Sequence, residues 1–229
     1  MTTIMEGLDP SLWPIKYALI AHDVGRTHDR STAVVGGYCG SGETLGIKEL
    51  VELPHCYGHA LASELMVVDG RHNRDAVIIA DLSSDPTYAE VLVENFGKRV
   101  VGMQIGAAGD GAEFERRRVH NGIIPVYHVG RTILFDLLLR ELRAERVRLP
   151  EGEMGRRAYA QLTALEVEQK ENRVIYRCPP GQHDDLGISC AMLAWAALHP
   201  HFKRFWMRTI DDRHRRRAHQ KPISSKAWS

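Results

Sequence analysis

The sequence predicts an α/β fold: a mixed central sheet of three antiparallel strands followed by parallel strands, flanked by helices. Three observations support this. Between residues 17 and 53, three apolar-rich segments are separated by short turn-forming stretches, the pattern of an antiparallel meander. Residues 76–105 run from apolar segment to amphipathic segment to apolar segment, which implies a parallel strand pair joined by a helical crossover. The stretch 184–198 is apolar nearly all round, as a helix buried inside a domain must be.

In chain order, a lead containing Pro10 and Pro14 precedes a short apolar strand, Tyr17–His22. A turn-rich stretch, Asp23–Arg30, leads to a second strand at Ser31–Tyr38, and a turn at Gly40–Gly42 leads to a third at Thr44–Leu53. Gly58–Val68 reads as a helix and Ala76–Ala80 as a buried strand. Asp85 can cap a helix whose first position suits Pro86, with Tyr88, Val91, Leu92 and Phe96 at helical spacing and Gly97 ending it. Val100–Ile105 returns as a strand, and the glycine-rich, charged segment Gly106–Gly122 is expected to be a surface loop. Arg131–Val147 has Leu134, Leu138 and Leu142 at four-residue steps, the mark of an amphipathic helix. A helix at Met154–Leu165 and a hairpin within Glu166–Cys178 follow; Pro179-Pro180-Gly181 then breaks the chain before the apolar helix Asp184–Leu198.

The 229 residues are 44% hydrophobic and 26% charged, enough apolar content for a packed core and too much for a disordered chain. No apolar run approaches the roughly 20 residues of a membrane span, and no signal peptide is evident, so a soluble cytosolic protein is expected. Cys39, Cys56, Cys178 and Cys190 form no CxxC pair, which argues against a disulfide scaffold or zinc ribbon. The formal charge of +1 conceals an asymmetry: residues 201–229 hold nine Lys/Arg against two acids. We therefore expect one domain over 1–205 and a basic, flexible tail over 206–229. Arg215 and Arg216 in that tail are candidates for holding DNA phosphates by counterion release.

Acidic residues stand where chemistry is concentrated. Asp23 ends the first strand, Asp81 ends the strand Val77-Ile78-Ile79-Ala80, and Asp184-Asp185 open the last helix after His183. Singly, Asp23 suits a turn and Asp184 a helix cap. Asp81 is harder to place structurally, because an acid ending an apolar strand needs a cation or hydrogen-bond donors. Carboxylates closing on one point repel unless a cation neutralises them, and hard oxygen ligands favour Mg²⁺ or Mn²⁺ over Zn²⁺. Two such ions about 3.5–4 Å apart can activate a water and stabilise the leaving oxygen in phosphodiester cleavage.

These residues also carry a resemblance. His22-Asp23-Val24-Gly25, Asp29 and Thr32-Ala33-Val34-Val35-Gly36 resemble the first strand and turn of the nuclease domain of phage terminase large subunits. Ile78-Ile79-Ala80-Asp81, Asp85, Ala89, Leu92 and Val100-Val101-Gly102 resemble that family's second acidic motif, and Gly181-Gln182-His183-Asp184-Asp185-Leu186 its closing His-Asp-Asp motif. Order and spacing agree from about residue 17 to residue 198. The resemblance implies an RNase H-like fold over 1–205, related to RuvC-type resolvases and retroviral integrases. It also implies a two-metal endonuclease acting on concatemeric double-stranded viral DNA in the host cytoplasm, leaving 5′-phosphate and 3′-hydroxyl ends. Asp23 would bridge two Mg²⁺ or Mn²⁺ ions, Asp81 would bind one, and Asp185, assisted by Asp184 or His183, would complete the site. Asp29 matches a recurrent acid that reads as turn support.

The sequence departs from the full-length family in lacking a GxxxxGK[ST] loop; Gly40-Ser41-Gly42-Glu43-Thr44-Leu45-Gly46-Ile47-Lys48 has the wrong spacing and reads as turn plus strand. A chain without that loop cannot be the packaging motor; it reads as an excised nuclease domain, one half of a split gene or a prophage remnant, and the resemblance implies a separate packaging ATPase, a small terminase subunit and a portal as partners. Arg26, Arg116 and Arg117 are further candidates for DNA contact, and His55, Cys56 and His59, or His199 and His201, lack a fourth ligand for zinc. Three other readings stand beside the terminase one. A Holliday-junction resolvase would use similar acids. Asp23-Val24-Gly25-Arg26-Thr27 also fits the phosphate loop of actin-like ATPases, and a degenerate nuclease would only bind DNA.

Overall fold

The computed structural model describes residues 17–25, 30–39, 44–106, 112–120, 122–170 and 173–219. Strands β1 (Leu19–Asp23), β2 (Thr32–Cys39) and β3 (Thr44–Glu52) form the antiparallel meander. Next to β1, on its other side, come β4 (Val77–Asp81), β5 (Val100–Gly106) and β7 (Gly122–Gly130), all parallel to it. β6 (Ala112–Val119) pairs antiparallel with β7 at one edge, and the short β8 (Val147–Arg148) pairs parallel with β3 at the other. The resulting eight-stranded order is β6-β7-β5-β4-β1-β2-β3-β8. A separate hairpin joins β9 (Glu166–Lys170) to β10 (Arg173–Arg177).

Alternation along the strands divides the core in two. Ile20, Ala33, Val35, Ile78 and Ala80 face α1 (Gly58–Arg71) and α2 (Tyr88–Phe96). Leu19, Ala21, Val34, Val77 and Ile79 face the opposite layer, made of α3 (Arg131–Arg143), α4 (Glu153–Ala164), α5 (Asp185–Leu198) and α6 (Pro200–His219). α5 lies across β1 and β2 with α3 and α4 packed against it, so every residue from Leu186 to Ala197 is buried. That is what its all-round apolar sequence requires. Its close approach to the sheet needs a residue without a side chain: a Cβ at Gly36 would stand 2.7 Å from the Gly46 carbonyl oxygen and about 3 Å from Leu193. No helix among the described residues is long and apolar enough to cross a membrane.

Four expectations are corrected. The segment 106–122 is not one surface loop, for it contains β6 and runs into β7, a strand the sequence reading assigns to no element. The reason is physical: β6 is an edge strand bearing charges on both faces, which hides its period, and such charges keep an exposed edge from pairing with other chains. α3 stops at Arg143, where Glu145 takes a positive φ of 56°, and Val147 leaves the helix to pair with Leu45. α2 begins at Tyr88 instead of Pro86, because the Asp85 carboxylate accepts hydrogen bonds from the Thr87 amide and hydroxyl and closes a turn first. Finally, 206 is not the start of a flexible tail: helix continues to His219 and buries Trp206 and Ile210. Phe202, Trp206 and Ile210 recur every four residues, so one stripe of α6 meets the core while Arg204, Arg208 and Arg215 are exposed.

Trp206 is wholly buried, stacks on Tyr38 at 5.7 Å, meets Tyr17 edge-on and donates from Nε1 to the Ala18 carbonyl at 3.3 Å. Trp206→Ala should cost about 3–5 kcal/mol of unfolding free energy in chemical denaturation; an unchanged midpoint would mean that α6 is a dispensable tail. His22 generates a second expectation. It is fully buried, its Nδ1 lies 2.9 Å from the Thr32 carbonyl oxygen, and burial, opposed only by that bond, lowers its pKa from 6.5 to about 4. The unfolded chain takes up this proton near pH 6.5 and the folded chain does not until about pH 4, so stability is lost as pH falls between those values. Over that range the wild type should lose about 3 kcal/mol more than His22→Phe, at about 1.4 kcal/mol per pKa unit. Parallel pH profiles for the two proteins would contradict it.

Candidate active site

The carboxyl ends of the parallel strands open onto a cleft of about 360 Å³ whose walls include Asp23, Asp81, Asp184 and Asp185. The pairing of β1 with β4 explains the first two. His22 pairs with Ala80, so Asp23 and Asp81 are the next residues in register on adjacent strands, roughly 5 Å apart at the backbone. Both belong to the alternating set that faces α5, since Ala21 and Ile79, two residues earlier, lie in that core.

The last helix is tied to the same point. Thr32, the β2 partner of Asp23, donates its hydroxyl to the Asp185 carbonyl at 3.1 Å and lies 2.7 Å from the Ser189 hydroxyl. Both Thr32 and Ser189 are buried, so this latch fixes the first turn of α5 beside the end of β1. On the other side, Ser83 holds Asp81. Its amide and hydroxyl both donate to Asp81 Oδ1, the former at 2.8 Å, and its hydroxyl accepts from the Ile105 amide of β5 at 2.7 Å. These are the donors that an acid at the end of an apolar strand needs.

Asp184 is not an ordinary helix cap. It occupies the N-cap of α5 without a side-chain cap hydrogen bond, and its carboxylate instead pairs with the Arg131 guanidinium. Arg131 is the first residue of α3, directly after β7, and its guanidinium carbon lies 5.0 Å from the centre of the Phe135 ring. Burial is the largest influence on it and pulls its pKa below the ordinary arginine value, against the opposing fields of Asp23, Cys178, Asp185 and Asp81. The N-termini of α3 and α5 both open onto the cleft, and their partial positive charges favour anions there.

The cleft therefore gathers Asp23, Asp81, Asp184 and Asp185, whereas His183 is exposed and is not part of its lining. Arg26 and Asp29 lie outside the described residues. The other basic candidates stand elsewhere. Arg116 pairs opposite Pro125, about five residues of strand from the cleft end of β7, and Arg117 is on the other face of β6 in an ion pair with Glu115. Arg215 and Arg216 are on the last turns of α6; just before them, His214 meets Asp75, ahead of β4 and so at the opposite end of the sheet from Asp81. Sequence reasoning does not single out Arg131, Ser83 or Ser189, and it names Thr32 only as part of the first-strand motif, with no role for its hydroxyl. Only the Gly130-Arg131 strand-to-helix junction hints at the first, and nothing in spacing marks the others.

Among the described residues the lining holds these carboxylates and no thiol or imidazole, the chemistry of a hard divalent-cation site. As they stand, with Asp184 held by Arg131, no three His, Cys, Asp or Glu side chains among the described residues are gathered closely enough to hold a metal ion.

No sequence-family model matches the chain, and no curated protein matches it by sequence. Solved structures do match its fold. The large terminase nuclease domain of Thermus phage P74-26 is 14% identical with a TM-score of 0.56 over 79% of each chain. The large terminase nuclease from thermophilic phage G20c is 16% identical with a TM-score of 0.51 over 85% of this chain and 98% of that one. The human cytomegalovirus terminase nuclease domain is 10% identical with a TM-score of 0.55 over 89% and 91%. A Mn-soaked, inhibitor-bound form of it matches at 12% identity and a TM-score of 0.54 over 82% and 85%. The chain is an α/β protein with the fold of the large terminase nuclease domains of phages and cytomegalovirus.

Proposed function

We propose that this chain is a divalent-cation-dependent endonuclease of the terminase large subunit type, hydrolysing phosphodiester bonds of double-stranded, concatemeric viral DNA during genome packaging. The observation that carries the reading is the meeting of Asp23, Asp81 and Asp185, from three separate elements, in one cleft at the carboxyl end of a parallel sheet. That is where ligand sites of open α/β sheets lie. The shared fold supports it, and the Mn-soaked cytomegalovirus domain supports a divalent ion as the cofactor.

In this reading Asp23, Asp81 and Asp185 hold Mg²⁺ or Mn²⁺, two ions in the full site, with Asp184 as an additional ligand. The ions supply activation of water and stabilisation of the departing 3′ oxygen. The chain's own residues supply the geometry. Ser83 fixes the Asp81 carboxylate, and Thr32 with Ser189 fixes α5 against β2. Residues at the starts of α3 and α5 line the cleft, and a helix N-terminus there favours a DNA phosphate. Affinity along the duplex would rest on phosphate contacts, to which Arg116, Arg117, Arg215, Arg216 and Arg26 are candidates, so sequence preference should be weak and salt dependence strong. A separate packaging ATPase, small terminase subunit and portal would be the partners in the host cytoplasm.

The test is cleavage of supercoiled plasmid in Mg²⁺ or Mn²⁺, with EDTA as control. Wild-type protein should nick and linearise the plasmid. Asp81→Asn should lose about 100-fold or more, the upper end of what even an outer partner of a metal ligand costs. Cleavage that persists in EDTA, or at full rate in Asp81→Asn, would contradict the reading.

A further inference from the structure

Acids that gather to bind a cation must be kept from repelling one another while the cation is absent. Arg131 stands where that need is greatest. It enters the cleft from the β7–α3 junction, pairs with Asp184, and lies within electrostatic reach of Asp23, Asp81 and Asp185. Its side chain is only 31% exposed, and its guanidinium rests over Phe135, which gives the planar group a fixed seat. Asp184 pairs with the arginine and makes no side-chain cap hydrogen bond to α5, and no three His, Cys, Asp or Glu side chains among the described residues are gathered to metal-ligand spacing.

We propose that Arg131 is a resident counter-cation of the cleft: it occupies the acids in place of a divalent ion, and it must release Asp184 before such an ion can bind. The proposal rests on the reading of Asp23, Asp81 and Asp185 as divalent-cation ligands. Arg131 is then a positioning residue that sets the divalent concentration at which the site fills. An entering ion meets a positive charge already in place, and that repulsion is strong at short range within a protein. Once a divalent ion has neutralised the acids, the freed guanidinium stands at the rim of the same cleft, where its fork suits a phosphate.

The experiment is Mn²⁺ binding, by calorimetry or by electron paramagnetic resonance of free Mn²⁺, to wild type, Arg131→Met and Arg131→Lys. Methionine keeps an apolar stem against Phe135 and removes the charge; lysine keeps the charge and loses the fork. Arg131→Met should bind Mn²⁺ at least about 10-fold more tightly than wild type, with Arg131→Lys between the two. Melting temperatures give an independent readout. Without metal Arg131→Met should melt below wild type, and Mn²⁺ should raise its melting temperature by the larger amount. If wild type binds Mn²⁺ and Arg131→Met binds it equally or more weakly, the counter-cation proposal is overturned while the ligand reading survives. If neither protein binds Mn²⁺, the ligand reading fails and takes the proposal with it. Should Arg131→Met be unfolded without metal, recovery of the fold in Mn²⁺ supports the proposal. Failure to fold in Mn²⁺ as well would make Arg131 a structural residue and overturn it.

Discussion

Like charges brought to one point are the constraint around which this molecule is arranged. The register of β1 against β4 sets Asp23 beside Asp81, and the latch from Thr32 to the first turn of α5 adds Asp185 with its neighbour Asp184. In water such a group of carboxylates would spread apart. Here the strands cannot slip, because moving one residue would turn every core side chain to the wrong face. The repulsion is met instead by the Arg131 guanidinium, by hydrogen bonds from Ser83, and by two helix N-termini directed at the cleft.

Rigidity behind the cleft follows from packing. α5 is buried along nearly its whole length between the sheet and α3 and α4, so its first turn cannot move without disturbing the core. Gly36 permits that contact by leaving room beneath Leu193. At the far end of the sheet α6 closes the same layer, with Trp206 against Tyr17 and Tyr38. The acids are thus carried by strands and a buried helix, the elements best able to hold side chains to a fixed geometry.

Much of this is legible in the sequence, and the reasons it is legible are specific. Strands β1 and β4 show as apolar runs that each end in an aspartate, and α5 shows as an apolar helix opened by two more, Asp184 at its cap and Asp185 in its first turn. Where the sequence misleads, a local signal is masked. The charges of β6 belong to an edge strand but look like those of a loop. The run of arginines late in α6 draws attention from the four-residue repeat of Phe202, Trp206 and Ile210. Arg131 is hidden for a different reason. A basic residue at the start of a helix opposes the helix dipole, and only the three-dimensional meeting of β7, α5 and the acids explains its place.

If Asp23, Asp81 and Asp185 form one divalent-cation site, anomalous diffraction from crystals of the chain soaked in Mn²⁺ should show density in the cleft, within ligand distance of those three carboxylates, with Arg131 withdrawn from Asp184. Mn²⁺ bound only elsewhere on the surface, with the Arg131–Asp184 pair intact and the cleft acids without density, would contradict it.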